Sequence, residues 1–215
     1  MDVREVLTFL FFSALEWLAM IVLTFAVFKF QLPGYRGRIL LTSAVLSFLS
    51  YLIFVEFDLN FCAPLVQMPI VFLFFWQYFR IPVFYAWLMN VNGYVLYTLL
   101  QAVIIFFVEL TGIKVKPNDP AAYIVQSITI FIIFLFAWYL IRTNWGFTFV
   151  PDTDRVKMHW TKLNVYLLAI SVLGYLALST YHYLFFSEIT PLIGLIAGMA
   201  VFGFLQYLVI KREFQ

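Results

Sequence analysis

Between Phe61 and Val108 the chain runs 48 residues with a single charged side chain, Arg80. A helix rises about 1.5 Å per residue and the hydrocarbon core of a bilayer is about 30 Å thick, so roughly 20 apolar residues make one crossing. The stretch is too long for one span and must be two, joined at a surface hairpin. Arg80-Ile81-Pro82 is the interruption that fits, because proline removes a backbone donor and disfavours helix at the residue before it. Composition points the same way. Of the 215 residues 65% are hydrophobic and 11% charged, against about 45–50% and about 25% in soluble domains.

Dividing the rest of the sequence at breakers and charges gives an all-α, polytopic membrane helical bundle of seven transmembrane helices. The expected spans are Val6–Phe28, Ile39–Val55, Phe61–Phe79, Val83–Val108, Ala121–Ile141, Leu163–Phe185 and Thr190–Ile210. The first is too long for a signal-peptide core of about 7–15 residues and lacks an Ala-x-Ala-like cleavage site, so it reads as a span. The longest hydrophilic stretch, Arg142 to Lys162, is too short for an independent domain. One transmembrane domain over residues 1–215 is therefore expected, in the cell membrane.

Lys and Arg are enriched in cytoplasmic loops. Ten of the 13 basic residues fall on one side of this arrangement: Lys29, Arg36, Arg38, Arg80, Arg142, Arg155, Lys157, Lys162, Lys211 and Arg212. The N-terminus is accordingly expected outside and the C-terminus inside. Asp2, Glu5, Glu56, Asp58, Glu109, Asp119 and Glu188 lie on the other side. Trp145, Trp160, Tyr35, Tyr123 and Tyr139 fall near span ends, where amphipathic rings favour the headgroup level.

A polar side chain inside a bilayer is costly and needs a partner or a purpose. Glu16 is placed near the midplane of the first span. With no Lys or Arg at similar depth, it is expected to be protonated, or hydrogen-bonded to amides and hydroxyls such as those of the fourth helix. It has either a functional role or a structural interhelical bond. Asn90, Asn92 and Gln101 make the fourth helix the most polar, and Gln67, Gln77, Gln126 and Gln206 add amides elsewhere. They read as interhelical glue, or as groups orienting a ligand in a cavity beside a third helix loosened by Pro64 and Pro69. His182, near the outer end of the sixth helix, is an interfacial residue or a pH or ligand contact. Gly194 and Gly198 form a GxxxG spacing followed by Gly203, which lets another helix approach closely and leaves a homodimer open. The Arg142–Lys162 segment is a plain connection, or a stretch that lies on the inner leaflet or docks a partner.

Several classes are excluded. There is no lysine in a span for a retinal Schiff base, no HExxH, no pair of intramembrane acids for an aspartyl protease, and no phosphate-binding loop. The single cysteine, Cys62, rules out an intrachain disulfide or a multi-cysteine metal site. As a peptidase nucleophile it would need a histidine in reach; His159 is expected on the opposite side of the membrane and His182 has no supporting motif. Scattered basic residues give no footprint for nucleic acid. No enzyme, cofactor or metal is expected.

Pro64-Leu65-Val66-Gln67, Arg80-Ile81-Pro82-Val83-Phe84-Tyr85 and Gly93-Tyr94-Val95-Leu96-Tyr97, set in roughly 200 residues of aromatic-rich multi-span helix, resemble the membrane sensor domain of AgrC-like, peptide-sensing histidine kinases. Such kinases continue into a dimerising helix and an ATP-binding domain, whereas here five residues follow the last span. The resemblance thus implies an excised sensor or a standalone relative that passes its signal on. The expected function is a non-enzymatic receptor or sensor-like module binding an apolar or peptide ligand and signalling to a cytoplasmic partner. Glu16, Gln67, Asn90, Asn92, Gln101 and His182 are its candidate contacts. A transporter or channel subunit, and a structural protein gripping partner helices through Gly194 and Gly198, are the alternatives.

Overall fold

The computed structural model of the chain describes residues 3–59, 63–112, 120–151, 161–186 and 191–214. Every regular element among them is helical: α1 (Val3–Val27), α2 (Leu32–Tyr51), α3 (Ala63–Leu73), α4 (Val83–Glu109), α5 (Pro120–Thr143), α6 (Lys162–Phe186) and α7 (Pro191–Glu213). Both α2 and α3 run on into a π-helical turn, Leu52–Glu56 and Phe74–Tyr78. Four helices are long and apolar enough to cross a membrane: Val3–Val27, Leu32–Glu56, Val83–Glu109 and Ala122–Thr143. Ala63–Tyr78 and Lys162–Ala177 are shorter apolar helices.

Helix boundaries follow the apolar runs to within a few residues, with one clear difference. α2 begins at Leu32, seven residues before the apolar run at Ile39, with Pro33 in its first turn. Proline suits that position because its missing N–H is one that no helix start can use. Arg36 and Arg38 end an apolar run without ending a helix, since backbone bonds are indifferent to side-chain charge. The Arg38 guanidinium lies 5.9 Å from the Tyr35 ring centroid and 5.7 Å from that of Tyr78.

The helix ends explain the turns. Phe79 N–H donates to Phe74 O at 2.9 Å and Ile81 N–H to Phe75 O at 3.1 Å, with Arg80 at φ 60 between them. The same pattern closes α2 through Phe57 to Leu52 O and Leu59 to Ile53 O, with Asp58 at φ 50. α1 and α5 instead end in Schellman motifs built on Lys29 and Asn144, in which Phe30 N–H reaches Phe25 O and Trp145 N–H reaches Leu140 O.

α4 is the central helix, touching α1, α3, α5, α6 and α7, while α1 lies between α2 and α5. Contacts between helix ends define two faces. Phe147 N–H donates to Val27 O at 2.7 Å, Phe25 packs on Tyr35 and Phe79, and Tyr85 packs on Phe149. Together they gather Lys29, Arg36, Arg38, Arg80 and Arg142 at one end, with Lys211 and Arg212 joined to it through Glu213. At the other end Phe9 meets Tyr51 and Phe12 meets Tyr123, which gathers Glu5, Glu56, Asp58 and Glu109 with Arg4. These are the basic and acidic ends.

Packing along α1 and α4 is lopsided. No described residue of α1 before Ser13 is buried, whereas Ala19, Met20, Ile21, Leu23, Thr24, Phe25 and Ala26 all are. In α4 the buried positions run from Phe84 to Leu99 and none follows up to Glu109. The contact is tightest where Gly93 faces Thr24: a Cβ on Gly93 would overlap the Thr24 hydroxyl. Burial in α1 and α4 is thus concentrated toward the basic end and thins toward the acidic end.

The basic end is closed by the segment after α5. Gly146 takes φ 141 and runs so close to α1 that an added Cβ would lie 2.5 Å from Val27 O. Phe147 and Phe149 pack against Phe28. Glu213, at the end of α7, accepts bonds from Thr148 Oγ1 at 2.5 Å, Thr148 N at 2.8 Å and Phe149 N at 3.2 Å. Residues 144–151 therefore fold back under the bundle; of the rest of the Arg142–Lys162 segment, residues 152–160 lie outside the described residues.

Candidate functional site

Glu16 sits about 20 Å of helix from the start of α1 and about 17 Å from its end, and its half-buried side chain faces α4. Tyr97 Oη donates to Glu16 Oε1 at 2.8 Å and Gln101 Nε2 donates to the same oxygen at 3.4 Å. Both bonds fall on Oε1. No hydrogen bond from the described residues reaches Oε2, and no Lys or Arg among them pairs with the carboxyl. Tyr94 lies within electrostatic reach of it.

Helical register produces this arrangement. Gly93, Tyr97 and Gln101 stand at i, i+4 and i+8 on α4, one above another on one face. Glu16 and Thr24, eight residues apart, form the matching row on the antiparallel α1. Gly93 lets the helices close on Thr24, and that closeness carries the Tyr97 hydroxyl to Glu16 one turn farther on. The Thr24 hydroxyl is turned back onto Met20 O at 2.8 Å, so it satisfies itself and leaves the polar partners of α4 to Glu16.

The other candidate residues are placed elsewhere and occupied differently. Gln67 Nε2 donates to Ser50 Oγ at 3.0 Å, and Trp17 Nε1 donates to the same hydroxyl at 2.9 Å, so one serine ties α1, α2 and α3 together. Asn90 Nδ2 donates to Met68 O at 2.8 Å, joining α4 to α3, and its Oδ1 is buried without a hydrogen-bond partner among the described residues. Asn92 Oδ1 accepts from Gln206 Nε2 at 3.1 Å, joining α4 to α7, and its Nδ2 is likewise unpartnered. All three amides are at least 94% buried, Gln67 at 6% exposure and Asn90 and Asn92 at 1%. Gln101 alone shares a centre with Glu16. The backbone of His182 is helical within α6, but its side chain lies outside the described residues, as do Cys62 and His159.

Gly198 is spent within the bundle, where an added Cβ would lie 3.1 Å from Leu99 Cδ2 of α4; Gly203 faces open space. The surroundings of Gly194 lie outside the described residues. Gly174, which carries no motif, makes a comparable approach: its Cβ would lie 3.2 Å from Val201 Cγ1 across the α6–α7 contact.

Sequence reasoning passed over Tyr97, Ser50, Trp17 and Tyr175. The signal for Tyr97 was present in the Gly93-x3-Tyr97-x3-Gln101 row opposite Glu16. Tyr175 answers the proline in α3. Pro69 has no N–H to give Leu65 O, and the Tyr175 hydroxyl donates to that carbonyl at 3.0 Å. No family model matches the chain, and neither a curated protein nor a solved structure matches it.

Proposed function

We propose that the protein is a multi-pass, seven-span receptor-like module of the cell membrane, non-enzymatic, with its acidic end and N-terminus outside and its basic end and C-terminus inside. It binds an apolar or peptide ligand that enters the α1–α4 seam from the acidic end and signals to a cytoplasmic partner at the basic end. One observation carries the reading. A carboxyl at mid-bundle has one oxygen that no hydrogen bond from the described residues reaches, at the point where burial along α1 and α4 begins to thin.

A carboxyl in apolar surroundings is expensive to keep without partners. Asn90 and Asn92 bond helix to helix through one atom each and leave the other buried and unpartnered among the described residues, and Glu16 likewise has bonds on one oxygen only. Gln101 and Tyr97 orient the carboxyl, and the apolar walls above it suit a ligand of the same character. The Gly93–Thr24 closure below it favours a dead-ended site over a path through the protein. That disfavours the transporter reading, which proteoliposome flux tests directly.

Photoactive hydrophobic peptides and lipids crosslinked to the protein in nanodiscs test the proposal. Adducts should map to Leu7–Glu16 and to Tyr97–Glu109, and competition by the unmodified compounds should remove them. Adducts spread evenly over all helices, or none, would refute it.

A further inference from the structure

Charge is the property of the bundle that the receptor reading leaves unused. Among the described residues, the acidic end carries Glu5, Glu56, Asp58 and Glu109 against Arg4, and the thinly buried halves of α1 and α4 on that side lead toward another acid, Glu16. α4 has no basic residue along its whole length and α1 has none beyond Arg4. A rim with an excess of one sign raises the local concentration of ions of the opposite sign. A carboxylate in a low dielectric attracts a cation far more strongly than it does in water.

From this we infer that the ligand class of the Glu16 centre is a lipophilic ammonium ion, its cationic head on Glu16 Oε2 and its hydrocarbon along the thinly buried acidic-end halves of α1 and α4. The inference rests on the ligand-binding reading above and adds the sign of the charge.

The geometry suits an ammonium head. Tyr97 and Gln101 both donate to Oε1; they hold the carboxyl in place and leave Oε2 as the acceptor for an N–H donor. Among the described residues no third donor fills that place and no Lys or Arg neutralises the site. The Tyr97 hydroxyl bond brings one aromatic side chain up to the carboxyl. Phe9, Phe12 and Tyr123 make the acidic end of α1 aromatic as well as acidic, which suits a hydrocarbon chain and offers nothing to a small hydrated ion. An anionic ligand would meet repulsion at the rim and again at the floor. A neutral one would gain nothing from either.

The test uses two diazirine-labelled twelve-carbon probes that differ only in the head, a primary amine and an alcohol, added to the full protein in zwitterionic nanodiscs at equal membrane mole fraction. A third arm uses one hydrophobic peptide with a free or an acetylated amino terminus, to separate long-chain amines from peptide termini as the source of the cation. The amine should label Leu7–Glu16 and Tyr97–Glu109 at least tenfold more than the alcohol. Glu16→Gln should bring it down to the level of the alcohol. Tyr97→Phe, which keeps the acid and loses one orienting bond, should reduce labelling by a smaller factor. Thermal melts of both variants verify that the bundle persists. Equal labelling by amine and alcohol, or amine labelling undiminished in a folded Glu16→Gln, would overturn the cation assignment while leaving a neutral-ligand receptor standing. Absence of seam labelling by every probe would overturn both.

Discussion

Gly93→Ala is the substitution that most directly tests how the α1–α4 seam is built. The added methyl would occupy the space of the Thr24 hydroxyl, with Thr24 Cβ at 3.0 Å and Cγ2 at 3.2 Å. Rotating Thr24 about χ1 gives little relief, because it breaks the hydroxyl bond to Met20 O and brings another heavy atom toward the same space. The helices must separate. Overpacking of this kind costs about 1–3 kcal/mol, while replacing glycine by alanine inside a helix returns up to about 1 kcal/mol, so a net loss of about 1–2 kcal/mol is expected. Separation also acts at a distance. The Gln101–Glu16 bond, already 3.4 Å long, lies two turns up the same row and would be the first to break. Thr24→Ala removes the hydroxyl and the methyl, leaving a Cβ–Cβ distance tight by only a few tenths of an ångström. The double variant should therefore recover most of the loss, a coupling of about 1 kcal/mol or more, well above the roughly 0.3–0.5 kcal/mol within which independent sites add. Reversible unfolding in mixed micelles, followed by far-UV circular dichroism, measures all four corners of the cycle. Additive effects would show that α1 and α4 do not meet at Gly93 and would undo the account of how Tyr97 reaches Glu16.

Gly146→Ala should destabilise the closure of the basic end by about 2 kcal/mol or more, since it places a side chain at φ 141 and against the Val27 carbonyl; faster proteolysis within residues 144–151 is the readout, and an unchanged rate would refute it. Tyr175→Phe should cost about 0.6 kcal/mol, the average worth of a hydrogen bond between membrane helices, but nothing in a Pro69→Ala background, where the restored backbone N–H of that position can serve Leu65 O; equal costs in both backgrounds would sink the pairing. The Glu213 carboxyl is pushed up by partial burial but pulled further down by bonds from Thr148 and Phe149 and by the charge of Lys29, so it stands below its ordinary value. With a folded value below the unfolded one, its stabilisation is complete above the unfolded value and is lost as pH falls through the folded one. Glu213→Gln should accordingly flatten the acid limb of the unfolding curve; an unaltered limb would exclude Glu213 as its source.

Helix existence and helix ends were legible in the sequence because both are local. A helix satisfies its own backbone, so apolar length and the position of proline suffice, and Arg80-Ile81-Pro82 marked a turn without reference to any other element. The start of α2 was not legible for the complementary reason: apolar length locates what a bilayer would bury, and the first turns of α2 carry Arg36 and Arg38. The polar residues were recognisable singly but not in combination. Gln67, Asn90, Asn92 and Gln101 looked equivalent as amides in apolar runs. Which of them meets Ser50, Met68, Gln206 or Glu16 depends on helix rotation and neighbour order.

The sequence by itself determined an all-helical chain, the extent of its helices apart from the start of α2, and the division of its charge, since each follows from interactions within a turn or two of helix. Tertiary structure alone decided that α4 is central, that Gly93 brings it onto α1, that Gln67, Asn90 and Asn92 bond helix to helix, and that both hydrogen bonds to Glu16 from the described residues fall on one oxygen. Those outcomes rest on contacts between residues 17 to 114 positions apart, and an apolar sequence with little periodic contrast leaves the rotation of each helix to packing.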